Sequence, residues 1–248
     1  MPKSGMLDRG DGIRLAWSLT QGDGPTVVFL PGFNSDMSGD KATGLAEYCA
    51  GIGQAMLRLD YSGHGASGGA FTDGCISRWA ADARAVIDHA VPTGRLLLVG
   101  SSMGGWISLL LGRSLGDRLA GLVGIAAAPD FTETLMWAGM TAPVRALLLE
   151  QGYIDVPSQY GEPYRITRTL IEDGRTNLLL GAPIAIDCRV RLLQGQCDDD
   201  VPWRTALAIA EKLTSSDVQV TLIKDGDHRL SRPRDISLLC ATVGCLLV

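Results

Sequence analysis

Residues 95–111 read RLLLVGSSMGGWISLLL, which places an apolar strand directly before an apolar helix, with a Gly-Ser-Ser-Met-Gly turn between them. At such a sharp turn, side chains two positions before and after the central residue would collide with neighbouring backbone, so Gly100 and Gly104 suit it. The turn predicts a strained backbone at Ser102 that presents its hydroxyl at the end of the strand. Ser102 is therefore the candidate nucleophile.

The same Gly-x-Ser-x-Gly spacing occurs a second time, around Ser67, between Gly65 and Gly69. This stretch lies within a Gly-rich loop that has no strand directly before it and turn residues after it. A nucleophile turn requires a strand before it and a helix after it. The context therefore favours Ser102 over Ser67.

The rest of the chain alternates short apolar runs with amphipathic segments, which indicates strand and helix units. The predicted strands cover residues 13–19, 26–30, 55–59, 95–99, 119–125, 190–193 and 218–223, and the predicted helices cover residues 40–53, 78–91, 103–115, 203–213 and 236–247. Repeated units of this kind form a mostly parallel central sheet with helices on both faces. The predicted fold class is α/β.

The alternation breaks once, between residues 129 and 187. A loop of this length without structure is improbable in a compact domain, so the segment is expected to hold helices of its own, as a lid-like insertion within a single domain spanning residues 1–248. Its apolar residues Met136, Trp137 and Met140 are candidates for lining a substrate pocket. The alternative is that they pack the insertion against itself.

Composition excludes several classes of protein. The 248 residues include 22 Lys plus Arg and 27 Asp plus Glu, so the net charge of −5 argues against a nucleic-acid partner. No apolar run approaches the roughly 20 residues of a membrane span. The six cysteines include no CxxC pair and the three histidines no HExxH motif, so we expect neither metal nor cofactor. The N-terminal segment MPKSGMLDRGDG resembles no targeting signal, which makes the cytoplasm the expected location.

A serine nucleophile needs a base, and only His64, His89 and His228 are available. His89 lies on the polar side of a predicted helix and His64 lies in a Gly-rich loop. His228 directly follows the last predicted strand, at the carboxyl edge of the sheet where α/β active sites form. His228 is the candidate base.

The imidazole in turn needs a carboxylate to orient it. The loop after the strand at residues 190–193 supplies three successive acids, and Asp198 is the preferred one. Asp130, which follows the preceding strand, remains the alternative, because some enzymes of this architecture place the acid one strand earlier.

Backbone N–H groups that stabilise a developing oxyanion are expected from two places. One is the residue after the nucleophile, Met103. The other is the loop after the early strand at residues 26–30, where Phe33 is the preferred donor and Asn34 the alternative.

Several blocks of the sequence carry a resemblance to a known family. These are LDYSGHGASGG (59–69), LLVGSSMGGWISLLL (97–111), IDVPSQY (154–160), RLLQGQCDDDVPW (191–203) and DGDHR (225–229). In this order they resemble the α/β-hydrolase superfamily and, more narrowly, bacterial relatives of mitochondrial palmitoyl-protein thioesterase. The resemblance implies Ser102 as nucleophile, Asp198 as acid and His228 as base. It also implies S-palmitoyl cysteine thioesters and acyl-glucuronide esters as substrates.

Two functions from different classes remain open. The first is a serine esterase or thioesterase that forms an acyl-enzyme on Ser102 and acts on a small-molecule or acyl-protein substrate. The second is a non-catalytic member of the same fold that binds a small acyl ligand under the insertion. The three residue types of a triad favour the enzyme, since a binding module has no need for a strained serine.

Overall fold

Alternating strands and helices form the centre of the molecule. The computed structural model describes residues 2–158 and 161–247. In these residues the strands are β1 (Lys3–Asp8), β2 (Arg14–Thr20), β3 (Asp23–Leu30), β4 (Gln54–Leu59), β5 (Leu96–Ser101), β6 (Leu119–Ile125), β7 (Tyr153–Ser158), β8 (Gly161–Thr167), β9 (Arg189–Gly195) and β10 (Val218–Ile223). The α-helices are α1 (Asp40–Gly51), α2 (Ile76–Ala90), α3 (Met103–Leu115), α4 (Ala142–Gln151), α5 (Arg168–Thr176), α6 (Arg204–Lys212) and α7 (Pro233–Leu247).

Eight of the strands form one sheet, in the order β1-β2-β4-β3-β5-β6-β9-β10. β2 pairs antiparallel with both β1 and β4, whereas every other neighbouring pair is parallel. The predicted fold class, a mostly parallel α/β sheet, is confirmed. Strand β1 was not predicted, because its sequence KSGMLD has few apolar residues and lies exposed or half-buried at the sheet edge.

The strand register brings the carboxyl ends of the central strands level with one another. Leu30 of β3 pairs with Gly100 of β5, and Ser101 pairs with Ile125 of β6. Ile125 in turn pairs with Leu193 of β9. The loops that follow these strands therefore meet at one edge of the sheet, where the predicted site residues lie.

Both faces of the sheet are covered by helices. Along β3, Val28 and Leu30 pack into the apolar cluster that contains α2, α3 and α6, whereas Val27 and Phe29 pack into the cluster that contains α1 and α7. A strand buried on both faces has no polar side, which explains why TVVFL is apolar almost throughout.

The most apolar helix, α3, is buried within the protein. Its residues Trp106, Ile107 and Leu109 are almost completely inaccessible and belong to the cluster shared with α2. Within residues 2–158 and 161–247, no helix has the length and apolar character needed to cross a membrane.

The segment between β6 and β9 contains more than the predicted helices. It begins with a π-helical segment, Thr132–Trp137, and continues through α4, an antiparallel hairpin of β7 and β8, and α5. The hairpin was not predicted, because its strands are short and mixed and β7 contains Pro157, which only an edge strand tolerates. Gln159 and Tyr160, at the end of the block IDVPSQY, lie outside the described residues.

Candidate active site

Ser102 has the strained backbone that the turn predicts. Its φ is 53° and its ψ is −116°, a positive-φ conformation that residues other than glycine adopt rarely. A Cβ at Gly100 would strike the carbonyl oxygen of Gly104 and the Ser108 hydroxyl, and a Cβ at Gly104 would strike the carbonyl oxygen of Leu30. Both glycines are thus required by the close approach of backbone to backbone.

A chain of hydrogen bonds connects Ser102, His228 and Asp198. The Ser102 Oγ lies 3.1 Å from His228 Nε2, and His228 Nδ1 lies 2.9 Å from Asp198 Oδ2. Because an ionised carboxylate only accepts hydrogen bonds, Nδ1 is the protonated nitrogen of the neutral ring and Nε2 is free to accept from the serine hydroxyl. The Asp198 side chain is 0% exposed and that of His228 is 19% exposed.

The Asp198 carboxylate accepts hydrogen bonds on both oxygens. Oδ1 accepts from the backbone N–H groups of Asp200, at 3.0 Å, and Val201, at 2.7 Å. Oδ2 accepts from Gln194 Nε2 at 2.8 Å in addition to His228. Sequence reasoning did not single out Gln194, although a polar residue inside the apolar strand RLLQG was a signal that could have revealed it.

Asp130, the alternative acid, has other partners. Its carboxylate accepts from the backbone N–H groups of Leu179 and Leu180 at 2.8 and 2.9 Å, which ties the end of the insertion to the loop after β6. Burial raises the pKa of the Asp130 carboxyl, and these two N–H groups act in the opposite direction. The structure therefore brings Asp198, and not Asp130, to His228.

Ser67, the other serine with this glycine spacing, is held by hydrogen bonds to backbone groups. The Ser67 hydroxyl donates to the backbone oxygen of Asp60 at 2.7 Å and accepts from the N–H of Ala16 at 2.8 Å. A hydroxyl held in this way fastens the Gly-rich loop to β2, and no histidine ring of the described residues is hydrogen-bonded to it.

The other two histidines lie away from Ser102. His64 is buried edge-on against Phe71 and Trp79, its Nδ1 is 3.1 Å from the Ser62 carbonyl oxygen, and burial lowers its pKa. His89 is exposed on α2 beside Trp17. Both positions agree with the expectation that neither of these rings faces the serine.

The proposed oxyanion donors lie on two adjoining segments. Met103 begins α3, where the first backbone N–H groups have no intrahelical acceptor. Phe33 belongs to the loop after β3, and a methyl group at Gly32 in this loop would lie only 3.4 Å from Ser102 Cβ. Neither amide donates to another of the described residues. Asn34, the alternative donor, has a φ of 53° and lines the same cavity.

A cavity of about 550 Å³ opens above Ser102. Its apolar wall comes from Phe33, from the insertion and from neighbouring loops: Ala128, Phe131, Leu135, Met136, Tyr164 and Val201. Its polar lining includes Lys41, Asp200 and Arg229. Burial in the first place, and then the Arg229 guanidinium, lower the pKa of Lys41 to about 8.

The structure separates the three pocket residues expected from the sequence. Met136 lines the cavity, but Trp137 and Met140 are not among the lining residues. The Trp137 ring lies between two guanidinium groups, 5.0 Å from that of Arg145 and 4.5 Å from that of Arg175. Trp137 thus contacts two arginines of the insertion, a placement that favours the alternative, in which such residues pack the insertion against itself.

Two of these site residues, with Asp200, also have the spacing of metal ligands. In the described part of the chain, a metal-sized group of ligand atoms occurs at Asp198, Asp200 and His228, within 4.8 Å of one another. Since His228 and Asp198 are bonded to each other and to Ser102 and Gln194, hydrogen bonding already accounts for their arrangement.

Fold and site together define a class of protein. A strained serine between strand and helix, an imidazole after the last strand and a buried carboxylate, all at the carboxyl edge of a mostly parallel sheet, are the arrangement of the α/β-hydrolases. A family model described as "Serine aminopeptidase, S33" matches residues 24–172. The chain belongs to this family of α/β-fold serine hydrolases.

Individual proteins are similar to this chain over almost its whole length. The bovine palmitoyl-protein thioesterase ABHD10, mitochondrial, is 36% identical over 243 residues, which cover 97% of this chain and 79% of the bovine protein. The structure of alpha/beta hydrolase domain-containing protein 10 from mouse matches with a TM-score of 0.90 at 35% identity and covers 98% of both chains. The crystal structure of a protein from Agrobacterium vitis S4 matches with a TM-score of 0.95 at 42% identity over 100% of both chains. The resemblance to this family that the sequence blocks indicate is confirmed.

Proposed function

We propose that this protein cleaves acyl esters or thioesters through an acyl-enzyme on Ser102. The observation that carries the proposal is the continuous hydrogen-bonded chain from Ser102 Oγ through His228 to Asp198, at a serine that faces a cavity. Two features support it further: the strain at Ser102, which a purely structural serine does not need, and the thioesterase names of its relatives.

In the first half-reaction, Ser102 Oγ attacks the carbonyl carbon while His228 Nε2 takes the hydroxyl proton. Asp198 holds the ring with Nδ1–H toward the carboxylate and stabilises the imidazolium that forms. The N–H groups of Met103 and Phe33 are the proposed donors to the oxyanion. When the tetrahedral intermediate collapses, the bond to the leaving oxygen or sulfur breaks, and His228 returns its proton to that atom.

In the second half-reaction, water takes the place of the leaving group. His228 Nε2 accepts a proton from the water as its oxygen attacks the acyl carbon, and the same oxyanion donors act again. Collapse breaks the bond to Ser102 Oγ, which regains a proton from His228. The products are a carboxylic acid and the free serine.

The cavity supports an acyl substrate with an apolar chain. Its volume of about 550 Å³ lies within the roughly 300–1,000 Å³ typical of small-molecule sites. Phe131, Leu135 and Met136 offer an apolar wall to the acyl chain, while Lys41 and Arg229 belong to the polar lining. We propose that the insertion acts as a lid over the acyl group and that the leaving group lies toward these polar residues.

A fluorophosphonate tests this function without requiring the natural substrate. We expect the Ser102 hydroxyl alone to displace fluoride and form a phosphonate ester, with the hydroxyl proton passing to His228, because only an imidazole-activated hydroxyl attacks the reagent quickly. Mass spectrometry of peptides locates the adduct. Ser67→Ala is the matched control and should label as the wild type does, whereas Ser102→Ala should not label.

Turnover is then measured on thioesters and oxyesters of increasing acyl length, with amino-acid amides included because of the family description. An adduct on Ser67, or the absence of an adduct on folded protein, would contradict the proposal. Acyl-ligand binding without labelling or turnover would instead indicate the non-catalytic binding protein.

The position of Met136 in the cavity wall predicts that activity depends on the length of the acyl chain. Met136→Ala should lower kcat/KM for long acyl thioesters more than for acetyl thioesters, because each methylene buried against Met136 contributes up to about 0.8 kcal/mol. Trp137→Ala is the matched control, since it shortens the adjacent side chain outside the cavity and should affect both lengths alike. Steady-state kinetics with acetyl, octanoyl and palmitoyl thioesters provide the comparison. Equal losses in Met136→Ala at all lengths would show that this wall does not contact the acyl chain.

A further inference from the structure

Gln194 is a polar side chain placed inside the core next to the proposed triad. It lies on β9 and is 0% exposed. Its Nε2 is 2.8 Å from Asp198 Oδ2 and 3.3 Å from the carbonyl oxygen of Val201. The neighbouring residues Leu192 and Leu193 belong to the apolar core on the two faces of the sheet.

The orientation of the Gln194 amide follows from its surroundings. Both the Asp198 carboxylate and the Val201 carbonyl can only accept, so the atom between them has to be the NH₂ group. This leaves Oε1 buried with no hydrogen-bond partner among the described residues. A leucine or methionine would fill this core position without such a cost, so folding alone does not explain the glutamine.

Asp198 itself comes from an exposed segment. The residues on either side of it, Cys197 and Asp199, are exposed, and the carboxylate reaches inward from this loop to His228. Gln194 belongs to the rigid, buried strand just before the loop. Its hydrogen bond therefore ties the carboxylate to the sheet and shares Oδ2 with the imidazole.

We propose that Gln194 is a positioning residue that fixes the Asp198 carboxylate for its contact with His228. The proposal rests on the proposed function of the Ser102, His228 and Asp198 chain. With Gln194 in place, the lone pairs of both carboxylate oxygens have donors, and the carboxylate has one orientation. Without it, Oδ2 gives its full charge to the imidazole, which then holds its proton more tightly, and the carboxylate loses its hydrogen bond to β9.

The test uses the rate constant of fluorophosphonate labelling, measured from pH 5 to 9. This rate constant reports activation of Ser102 and does not depend on how much protein is folded, because unfolded chains do not label. Gln194→Met should lower the rate constant about tenfold, the size of effect typical of partners that orient a functional ligand. It should also move the acidic limb of the profile upward by about half a pH unit. Gln194→Leu serves as a second variant of different shape.

The matched control is Gln54→Met, which removes the other glutamine that is buried among the described residues. Gln54 donates to the carbonyl oxygens of Asp23 and Pro25. It begins β4, which β3, β5 and β6 separate from β9 in the sheet. Its loss should lower the melting temperature and leave the labelling rate and its pH profile unchanged. If Gln194→Met behaves in this same way, its role is structural and the inference is wrong.

A double substitution tests whether Gln194 acts through Asp198. Once Asp198→Asn has removed the carboxylate, adding Gln194→Met should change the labelling rate less than twofold, because both changes act on one contact. A full, additive tenfold loss would overturn the inference. Failure of the proposed function would give a different result from failure of this inference, because the wild-type protein would then not label at Ser102 at all.

Discussion

His228→Ala is expected to lower kcat about 10⁴- to 10⁶-fold, the range found when the base of a serine triad is removed. Without the imidazole, Ser102 Oγ loses the only acceptor that the described residues place within hydrogen-bond distance, and the hydroxyl attacks as a weak neutral nucleophile. The oxyanion donors remain, so some rate above the uncatalysed reaction should persist. Kinetics on an activated ester, with fluorophosphonate labelling as a second readout, measure the loss.

The control for this substitution is His89→Ala. His89 is exposed on α2 and contacts Trp17 edge-on, so its removal should leave kcat within about twofold. His228 is itself partly exposed, and its replacement should leave the fold intact by circular dichroism. A His228→Ala protein that keeps a tenth of the wild-type kcat would show that another group takes the serine proton.

The sequence predicts the site best where the signal is local. The turn at Ser102 depends on residues within two positions of it, and Gly100 and Gly104 are restricted by backbone atoms that any such turn brings close. His228 was found by elimination among three histidines, since it follows a strand whose carboxyl end must reach the same edge as β5. Both inferences need the order of elements and no side-chain geometry.

Features that depend on contacts between distant segments could not be predicted in the same way. Asp130 and Asp198 both follow carboxyl ends of neighbouring strands, and only the structure shows that the amides of Leu179 and Leu180 take the first carboxylate. Trp137 has the apolar character of a pocket residue, but Arg145 and Arg175 approach its ring from elsewhere in the insertion.

The predicted alternation of strands and helices does not include the hairpin of β7 and β8 in the insertion. Strands β7 and β8 pair only with each other, as a two-stranded sheet apart from the main one. Their sequences YIDVPS and GEPYRIT therefore lack the continuous apolar run of a central strand. The hairpin nevertheless contributes Tyr164 to the cavity wall, where the ring packs against Phe33 at a centroid distance of 5.7 Å.

Replacement by asparagine is expected to reduce activity at Asp198 and stability at Asp130. Asp198→Asn should lower kcat about 10⁴-fold, because the amide no longer holds the imidazole with Nδ1–H toward it and the ring adopts the wrong tautomer. Asp130→Asn should leave kcat within about threefold. It should instead reduce the free energy of unfolding by about 1–3 kcal/mol, since an amide has only one accepting oxygen for the two buried N–H groups of Leu179 and Leu180.

Asparagine is a suitable replacement at both positions, because it matches aspartate in shape and tolerates the φ of 63° at residue 130. Backbone strain is therefore not added by the substitution itself. Turnover per labelled active site and urea unfolding, measured on both variants, separate catalysis from stability. If Asp130→Asn loses turnover while Asp198→Asn retains it, the carboxylate that acts with His228 comes from the loop after β6, and the hydrogen bond between Asp198 and His228 is not the one used in catalysis.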